Sequence, residues 1–210
     1  MADSRRKQGC RLGTTVLFGV LFCGGAGACG DEQPSMTVEE GQAVVQVAEP
    51  AASELLRTLV GHLTSALEER GPAGAMEFCS REALPLTREV QAGLKGGLKL
   101  KRTSFRVRNP LNAPDGPEEE ALLYFEEAIM AGGKPPASFV QKVSDSELRF
   151  YRPLFIADVC TRCHGPPENL DEGVRAVLSD RYPMDLATGY EVGDFRGVVR
   201  VSIPAAGQEG

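Results

Sequence analysis

The sequence contains no tryptophan, only two histidines and few aromatic residues, which make up 6% of the chain. A protein that is so poor in large aromatic side chains must build its core from aliphatic residues or complete it with another group. Long apolar runs are also missing. The longest, residues 14–22, is shorter than the roughly 20 apolar residues that a membrane-spanning helix needs, so we expect no such helix in the mature chain.

The first 28 residues have the composition of a bacterial export signal. Basic residues precede the apolar run, and small residues follow it from Gly24 to Ala28. Cys29 stands where a lipoprotein signal has its lipidated cysteine, although Ala26 replaces the more usual leucine three positions before it. A soluble export signal cleaved near Ala28 is the alternative. We predict a signal peptide over residues 1–28, lipidation at Cys29 and a location on the periplasmic side of the cell envelope.

The remaining chain is predicted to hold one domain. Residues 29–50 are acidic and show no clear periodicity, which predicts a flexible tether to the membrane surface. Residues 51–206 are sufficient for one domain with its own core, and residues 207–210 form a short tail. The chain has 29 acidic and 23 basic side chains, a net charge of −6, so nucleic acid is not expected as a partner.

Six cysteines in an exported protein would ordinarily suggest disulfides. Two of them, however, fall within the predicted signal, and Cys29 is the candidate for lipidation. Cys160 and Cys163 belong to a Cys-x-x-Cys-His segment that ends at His164. Two thiols at this spacing lie on one helical turn and reach both vinyl groups of a haem, and the adjacent histidine can ligate the iron. The motif predicts one covalently attached haem c.

Two alternatives exist for the same motif. A redox dithiol needs no following histidine and usually opens a helix after a strand in a thioredoxin-like pattern, which we do not find. A zinc site would need two more ligands, and His62 and Cys79 are the only good ones left. We favour haem because an export signal delivers the chain to the compartment where haem is attached.

The residues leave the second axial ligand of such a haem open. The candidates are Cys79, His62, Met76, Met130 and Met184. His62 lies off the apolar stripe of a helix predicted over residues 54–70, so it also fits a solvated position. Cys79 shares the inner face of a helix predicted over residues 73–82, where it is either an ordinary buried cysteine or an iron ligand.

The rest of the pattern combines helices and strands. A strand is predicted over residues 98–107 with a break near Thr103, and a helix over residues 117–131. Short apolar runs at 139–143 and 148–156 predict a hairpin that leads directly into the Cys-x-x-Cys-His segment, and the alternation in 197–204 predicts a last strand. We therefore predict an α+β fold with an antiparallel sheet.

Positive charge is concentrated in the predicted strand over residues 98–107 and just after it. These basic residues fit an ordinary solvated strand face. They also fit a role in the haem site, in which Arg102 and Arg108 pair with the haem propionates through their planar guanidinium groups.

Several segments of the chain are collinear with the motifs of one family. They are residues 78–79, 101–104, 106–112, 151–153, 160–165, 182–190 and 193–197. Together they resemble the PAS-like c-type haem domains of bacterial envelope and sensor proteins, long catalogued as a domain of unknown function. The resemblance implies a PAS-like fold, in which helices flank an antiparallel sheet and haem lies in the pocket between them.

The resemblance also implies a ligand set and a role. The axial ligands of the family correspond to His164 and Cys79 in this sequence, which implies a low reduction potential. Family members fused to kinases or chemotaxis modules imply a redox or small-ligand sensor, and a periplasmic one-electron carrier is the alternative. Because the iron would be ligated on both sides, we expect no catalytic residues and no enzyme. No feature identifies a redox or signalling partner, and a homodimer is one assembly to consider.

Overall fold

The computed structural model describes residues 36–204, which form a four-stranded sheet with helices on both faces. The elements are α1 (Val38–Gly93), β1 (Lys99–Thr103), α2 (Gly116–Met130), β2 (Phe139–Ser144), β3 (Glu147–Phe155), α3 (Thr161–His164), α4 (Glu172–Arg181) and β4 (Phe195–Pro204). The predicted signal peptide, the lipidation site Cys29 and the predicted tail lie outside the described residues. No helix within residues 36–204 is long and apolar enough to cross a membrane.

All neighbouring strands in the sheet are antiparallel, in the order β1-β4-β3-β2. The predicted hairpin is formed by β2 and β3, and β1 ends at Thr103, where the sequence predicts a break. The last strand, β4, lies between β1 and β3, so it ties the early and late parts of the chain together. The predicted α+β fold, a PAS-like antiparallel sheet flanked by helices, is confirmed.

The first half of α1 packs on one face of the sheet. Strand residues alternate between the two faces, so Leu100, Phe150, Val199 and Val201 point toward α1. Leu55 is fully buried among them. The helix side of this core is otherwise built mainly from small residues, namely Val44, Ala48, Ala51 and Ala52. The core is therefore aliphatic, as the lack of tryptophan predicts.

The opposite face of the sheet is covered by α2. The apolar residues Ala121, Leu122 and Phe125 pack there against the sheet. The helix also carries Glu118, whose side chain is fully buried and pairs with Lys101 at 2.6 Å and Arg200 at 3.2 Å. Apolar contacts and ion pairs thus hold α2 in place together.

The structure corrects the predicted tether over residues 29–50. A capping box between Thr37 and Glu40 starts α1, so residues from Val38 onward are helical. Val44 and Ala48 are buried against the sheet, with 6% and 0% of their surface exposed. Residues 38–50 therefore belong to the domain, which begins before the predicted boundary at residue 51. Residues 29–35 lie outside the described part.

The long helix α1 is interrupted at Gly71, whose φ of 66° and ψ of −176° are not helical. Pro72 follows, and a proline fits the first position of a helix because its missing N–H would have no helical partner there. The helices predicted over residues 54–70 and 73–82 lie on the two sides of this break. Cys79 belongs to the second segment.

Candidate functional site

A cavity of about 280 Å³ is lined by both segments of α1, the end of the sheet and the Cys-x-x-Cys-His segment. Four leucines of the first segment, Leu56, Leu59, Leu63 and Leu67, form an apolar wall. They are half-buried, whereas Leu55 is fully buried in the core. The apolar stripe predicted for residues 54–70 therefore faces a cavity, which suits a ligand with a large apolar surface.

The Cys-x-x-Cys-His segment forms a second part of the cavity lining. Cys160, Cys163 and His164 all border the cavity. A short 3-10 turn, Asp158–Cys160, leads directly into α3, so both cysteines lie on consecutive helical turns. Neither forms a disulfide with another cysteine of residues 36–204. Burial raises the pKa of Cys163 to about 11, so this side chain is a neutral thiol at pH 7.

The ring of His164 is oriented by its Nδ1 atom, which lies 2.6 Å from the carbonyl oxygen of Ala187. A carbonyl oxygen accepts hydrogen bonds, so Nδ1 carries the proton and the lone pair of Nε2 is free. Burial and the charges of Arg108 and Arg196 hold the pKa of His164 well below its usual value, so the ring is neutral. Metal-ligating histidines commonly have this arrangement.

The loop before β4 fixes the motif through backbone hydrogen bonds. The N–H of Tyr190 donates to the carbonyl oxygen of His164 at 2.9 Å, and the N–H of Gly189 donates to that of Gly165 at 2.7 Å. The ring of Tyr190, which is 2% exposed, lies edge-on to the ring of His164. The histidine is thus held by groups from a distant part of the chain.

Arg108 is hydrogen-bonded to the motif and to the loop before β4, and its predicted role as a propionate partner stays a prediction. Its Nε and Nη2 contact the carboxylate of Asp185 at 3.0–3.2 Å. Nη2 also donates to the carbonyl oxygens of Cys163 at 2.7 Å and Ala187 at 3.1 Å. Arg108 also borders the cavity, and among its donor atoms Nη1 has no oxygen acceptor within residues 36–204 and lies 3.7 Å from Sδ of Met76.

Arg102 and Arg196 place positive charge beside the cavity. Carboxylates of the described residues do not neutralise this charge. Both border the cavity, and neither forms a salt bridge with a residue in the range 36–204. Arg196 donates one hydrogen bond, to the carbonyl oxygen of Arg106 at 3.1 Å. Burial, and then the charge of Arg196, lower the pKa of Arg102. Two such guanidinium groups beside an apolar cavity suit the carboxylates of a ligand.

Cys79 lines the same cavity from the second segment of α1. It is half-buried and forms no disulfide within the described part of the chain. Burial raises the pKa of its thiol, while the charges of Arg102 and Arg108 act in the opposite direction. The structure therefore brings Cys79 and His164, which are far apart in sequence, to one cavity.

The comparison with known families covers almost the whole described domain. Residues 35–204 match the model of the Tll0287-like family. This chain belongs to the Tll0287-like family. The family resemblance predicted from the sequence is thereby confirmed.

The Tll0287-like fold is also found in a solved structure. The crystal structure of the cyanobacterial heme-protein Tll0287 matches with a TM-score of 0.57 and 23% sequence identity, over 82% of this chain and 99% of that chain. At this identity the likeness shows the fold alone. No curated protein matches the chain significantly.

Most other predicted ligands of the Tll0287-like chain lie away from the cavity. His62 is exposed and stacks on Phe78 at 6.1 Å between ring centroids. Met130 and Met184 are 77% and 80% exposed. Met76 does border the cavity, but its Sδ lies 3.7 Å from Nη1 of Arg108. Within residues 36–204 no group of three or more His, Cys, Asp or Glu side chains is arranged to hold a metal ion.

The residues around the cavity fit a haem c. They provide two thiols at the spacing of the haem c motif, a neutral imidazole with a free Nε2 and a third sulfur atom in Cys79. Leucines provide an apolar wall, and Arg102 and Arg196 provide donors for two propionates. The sequence does not single out Arg196, because this residue reaches the cavity only through the pairing of β4 within the sheet.

Proposed function

We propose that the chain carries one covalent haem c and acts as a redox or small-ligand sensor module of the cell envelope. The main support is that His164, with Nε2 free, and Cys79 border one cavity together with the two motif cysteines. A further support is that the solved structure with the similar fold is that of a heme-protein. When bound, a haem supplies a one-electron redox centre and an iron that can bind small ligands.

Each residue of the cavity has a role in this proposal. The thiols of Cys160 and Cys163 form the thioether links to the vinyl groups, and His164 provides the nitrogen ligand through Nε2. The leucines of α1 exclude water from the ring faces, and Arg102 and Arg196 bind the propionates. The cavity needs no further acid or base for these roles.

We propose Cys79 as the second axial ligand. Burial raises the pKa of its thiol overall, the charges of Arg102 and Arg108 oppose this effect, and binding to a metal removes the thiol proton. A thiolate ligand stabilises ferric iron and lowers the reduction potential.

The sensor role is tested by the binding of carbon monoxide to the ferrous protein. If Cys79 is a displaceable ligand, carbon monoxide changes the spectrum of the parent slowly and that of Cys79→Ala faster, because the variant has no sulfur to displace. Met76→Leu is the matched control, since Met76 also borders the cavity, and it should behave like the parent. The absence of any spectral change in the parent at any pH contradicts ligand sensing and favours one-electron transfer instead.

We also propose that the chain is exported and anchored by a lipid on Cys29. Covalent haem attachment outside the cytoplasm requires export, and the N-terminal pattern supplies a signal for it. In fractionated cells, Cys29→Ser should move the protein from the membrane fraction to the soluble periplasmic fraction. Cys23→Ser is the control and should leave it in the membrane fraction. Retention of Cys29→Ser in the membrane fraction contradicts the anchor.

A further inference from the structure

The carbonyl oxygen of Ala187 lies within hydrogen-bond distance of two side chains at once. Nδ1 of His164 lies 2.6 Å from it, and Nη2 of Arg108 lies 3.1 Å from it. We infer that Arg108 and Asp185 are positioning residues that set the reduction potential of the iron through this shared oxygen. The inference rests on the proposed function, because it needs His164 as an iron ligand.

The two charged partners are buried and both contact Ala187. Only 11% of the Arg108 side chain and 8% of the Asp185 side chain are exposed. Oδ1 of Asp185 accepts a hydrogen bond from the N–H of Ala187 at 2.9 Å, while Arg108 donates to the carbonyl oxygen of the same residue. The ion pair therefore fixes Ala187 at both its N–H and its carbonyl group. The carbonyl oxygen is the acceptor of the Nδ1 proton of His164.

The charges of this pair have opposite effects on the iron. A strong hydrogen bond from Nδ1 makes an imidazole a better donor to the metal, which stabilises the ferric state. A carbonyl that also accepts from a guanidinium is a weaker acceptor for Nδ1, and the positive charge itself disfavours ferric iron. Arg108 therefore raises the reduction potential, and the carboxylate of Asp185 offsets this effect.

A purely structural role of the pair predicts a different result. If Arg108 and Asp185 only held the loop in place, loss of either partner would loosen the same contacts and shift the potential in the same direction. Under the electrostatic role, Arg108→Gln lowers the potential and Asp185→Asn raises it. Arg108→Lys retains the charge and should stay closer to the parent than Arg108→Gln.

Arg106 provides a matched control on the same loop. Its Nε donates to the carbonyl oxygen of Leu186 at 3.0 Å, and its Nη2 contacts that of Thr188. It has no hydrogen bond to Ala187 within the described chain. Arg106→Gln therefore weakens the attachment of the loop without a change at the shared oxygen, and its potential should stay closer to that of the parent than the potential of Arg108→Gln does.

The test is a spectroelectrochemical titration of the haem-bound proteins at one pH, in which mediators transfer one electron to each ferric haem. We expect Arg108→Gln and Asp185→Asn to change the equilibrium constant for reduction about tenfold in opposite directions, which is about 59 mV for one electron. The inference is overturned if Arg108→Gln and Asp185→Asn shift the reduction potential in the same direction. It is also overturned if neither variant shifts the potential further than Arg106→Gln does. If Arg108→Gln does not retain haem, Asp185→Asn is compared with Arg106→Gln alone. A higher reduction potential for Asp185→Asn supports the inference, and an equal or lower potential overturns it. A parent protein without haem defeats the proposed function instead.

Discussion

Nδ1 of His164 lies 2.6 Å from the carbonyl oxygen of Ala187, which is 23 residues further along the chain. This contact selects the tautomer that leaves Nε2 free to ligate a metal. It also joins α3 to the loop before β4, and the backbone hydrogen bonds of Gly189 and Tyr190 strengthen the connection. The orientation of the ligand is thus determined by the folded chain itself.

Replacement of Arg102 with glutamine should have opposite effects on haem-bound and haem-free protein. With haem, the variant loses a charge-assisted hydrogen bond to a propionate, worth about 1.5–3 kcal/mol. In a haem-free Cys160→Ser, Cys163→Ser protein, it removes a guanidinium that has no salt bridge within residues 36–204 and should increase stability. Urea unfolding of both forms measures the two effects. The exposed Lys99→Gln on the same strand is the control and should change neither form. If the substitution destabilises both the haem-bound and the haem-free protein, or stabilises both, the result contradicts the proposal that Arg102 binds a propionate.

Gly197 allows β4 to pass close to the end of β1, beside Arg102 and Arg196. Its φ is 140°, and a Cβ there would overlap the carbonyl oxygen of Thr103 and lie 2.8 Å from Cβ of Ser104. Gly197→Ala should therefore reduce the free energy of unfolding by at least about 2 kcal/mol.

Gly61 is the matched control for this substitution. It lies within α1, and a Cβ at this position meets no heavy atom within 4 Å. Gly61→Ala should raise the free energy of unfolding by up to about 1 kcal/mol, because alanine favours the helix. Equal effects of the two substitutions in urea unfolding would show that β4 does not approach β1 so closely.

Residues 38–50 should contribute to stability as part of the domain. Val44 is 6% exposed in the core, whereas Val47, three residues later, is 52% exposed. Val44→Asp places an unpaired charge against the sheet and should cost at least about 3 kcal/mol, while Val47→Asp should stay within about 0.5 kcal/mol of the parent. The measurement is chemical unfolding. Similar stabilities for the two variants would mean that this segment is a tether after all.

Asp115 should make the stability of the domain sensitive to acid. Burial acts to raise its pKa, but the N–H of Glu118 and the charge of Arg149, whose Nη1 lies 2.8 Å from both carboxylate oxygens, lower it overall. A carboxyl group whose pKa is lower in the folded state stabilises the fold above its unfolded pKa of about 3.9. This contribution is lost as the pH falls through the folded pKa.

Asp115→Asn separates this effect from helix capping, because asparagine caps a helix N-terminus as well as aspartate does. The parent should be more stable than the variant at pH 7, and the difference should shrink below about pH 4. Urea midpoints at pH 7 and pH 3 measure it. A difference that does not change between the two pH values would show that the charge of Asp115 is not the cause.

The sheet and the motif could be predicted because their signals are local. The alternation in residues 197–204 and the two apolar runs within 139–156 correspond to β4 and to the β2–β3 hairpin. The start of α1 was missed, because the acidic composition of residues 29–50 favoured a tether, whereas the structure has a capping box at Thr37 and Glu40. A helical stripe indicates an inner face without indicating its partner, so the cavity beside Leu56 and Leu63 could not be predicted.

The charged groups of the site depend on contacts between distant parts of the chain. Arg108 and Asp185 are 77 residues apart, and no local pattern links them. Without that contact, Arg108 resembles any basic residue near a cofactor, so its hydrogen bonds to the loop before β4 could not be predicted. Arg102 was predicted as a site residue from its place in a basic strand and does border the cavity, whereas Arg196 comes to the same cavity through strand pairing alone.

The most direct test of the account is an optical spectrum of the purified exported protein and of Cys79→Ala, before and after reduction. The account predicts a haem band that stays with the polypeptide after denaturation, because Cys160 and Cys163 hold the haem covalently. It also predicts a ferric spectrum that changes when Cys79 is replaced. A parent protein without a covalently bound haem would contradict the central claim, and an unchanged ferric spectrum of Cys79→Ala would contradict the role of Cys79.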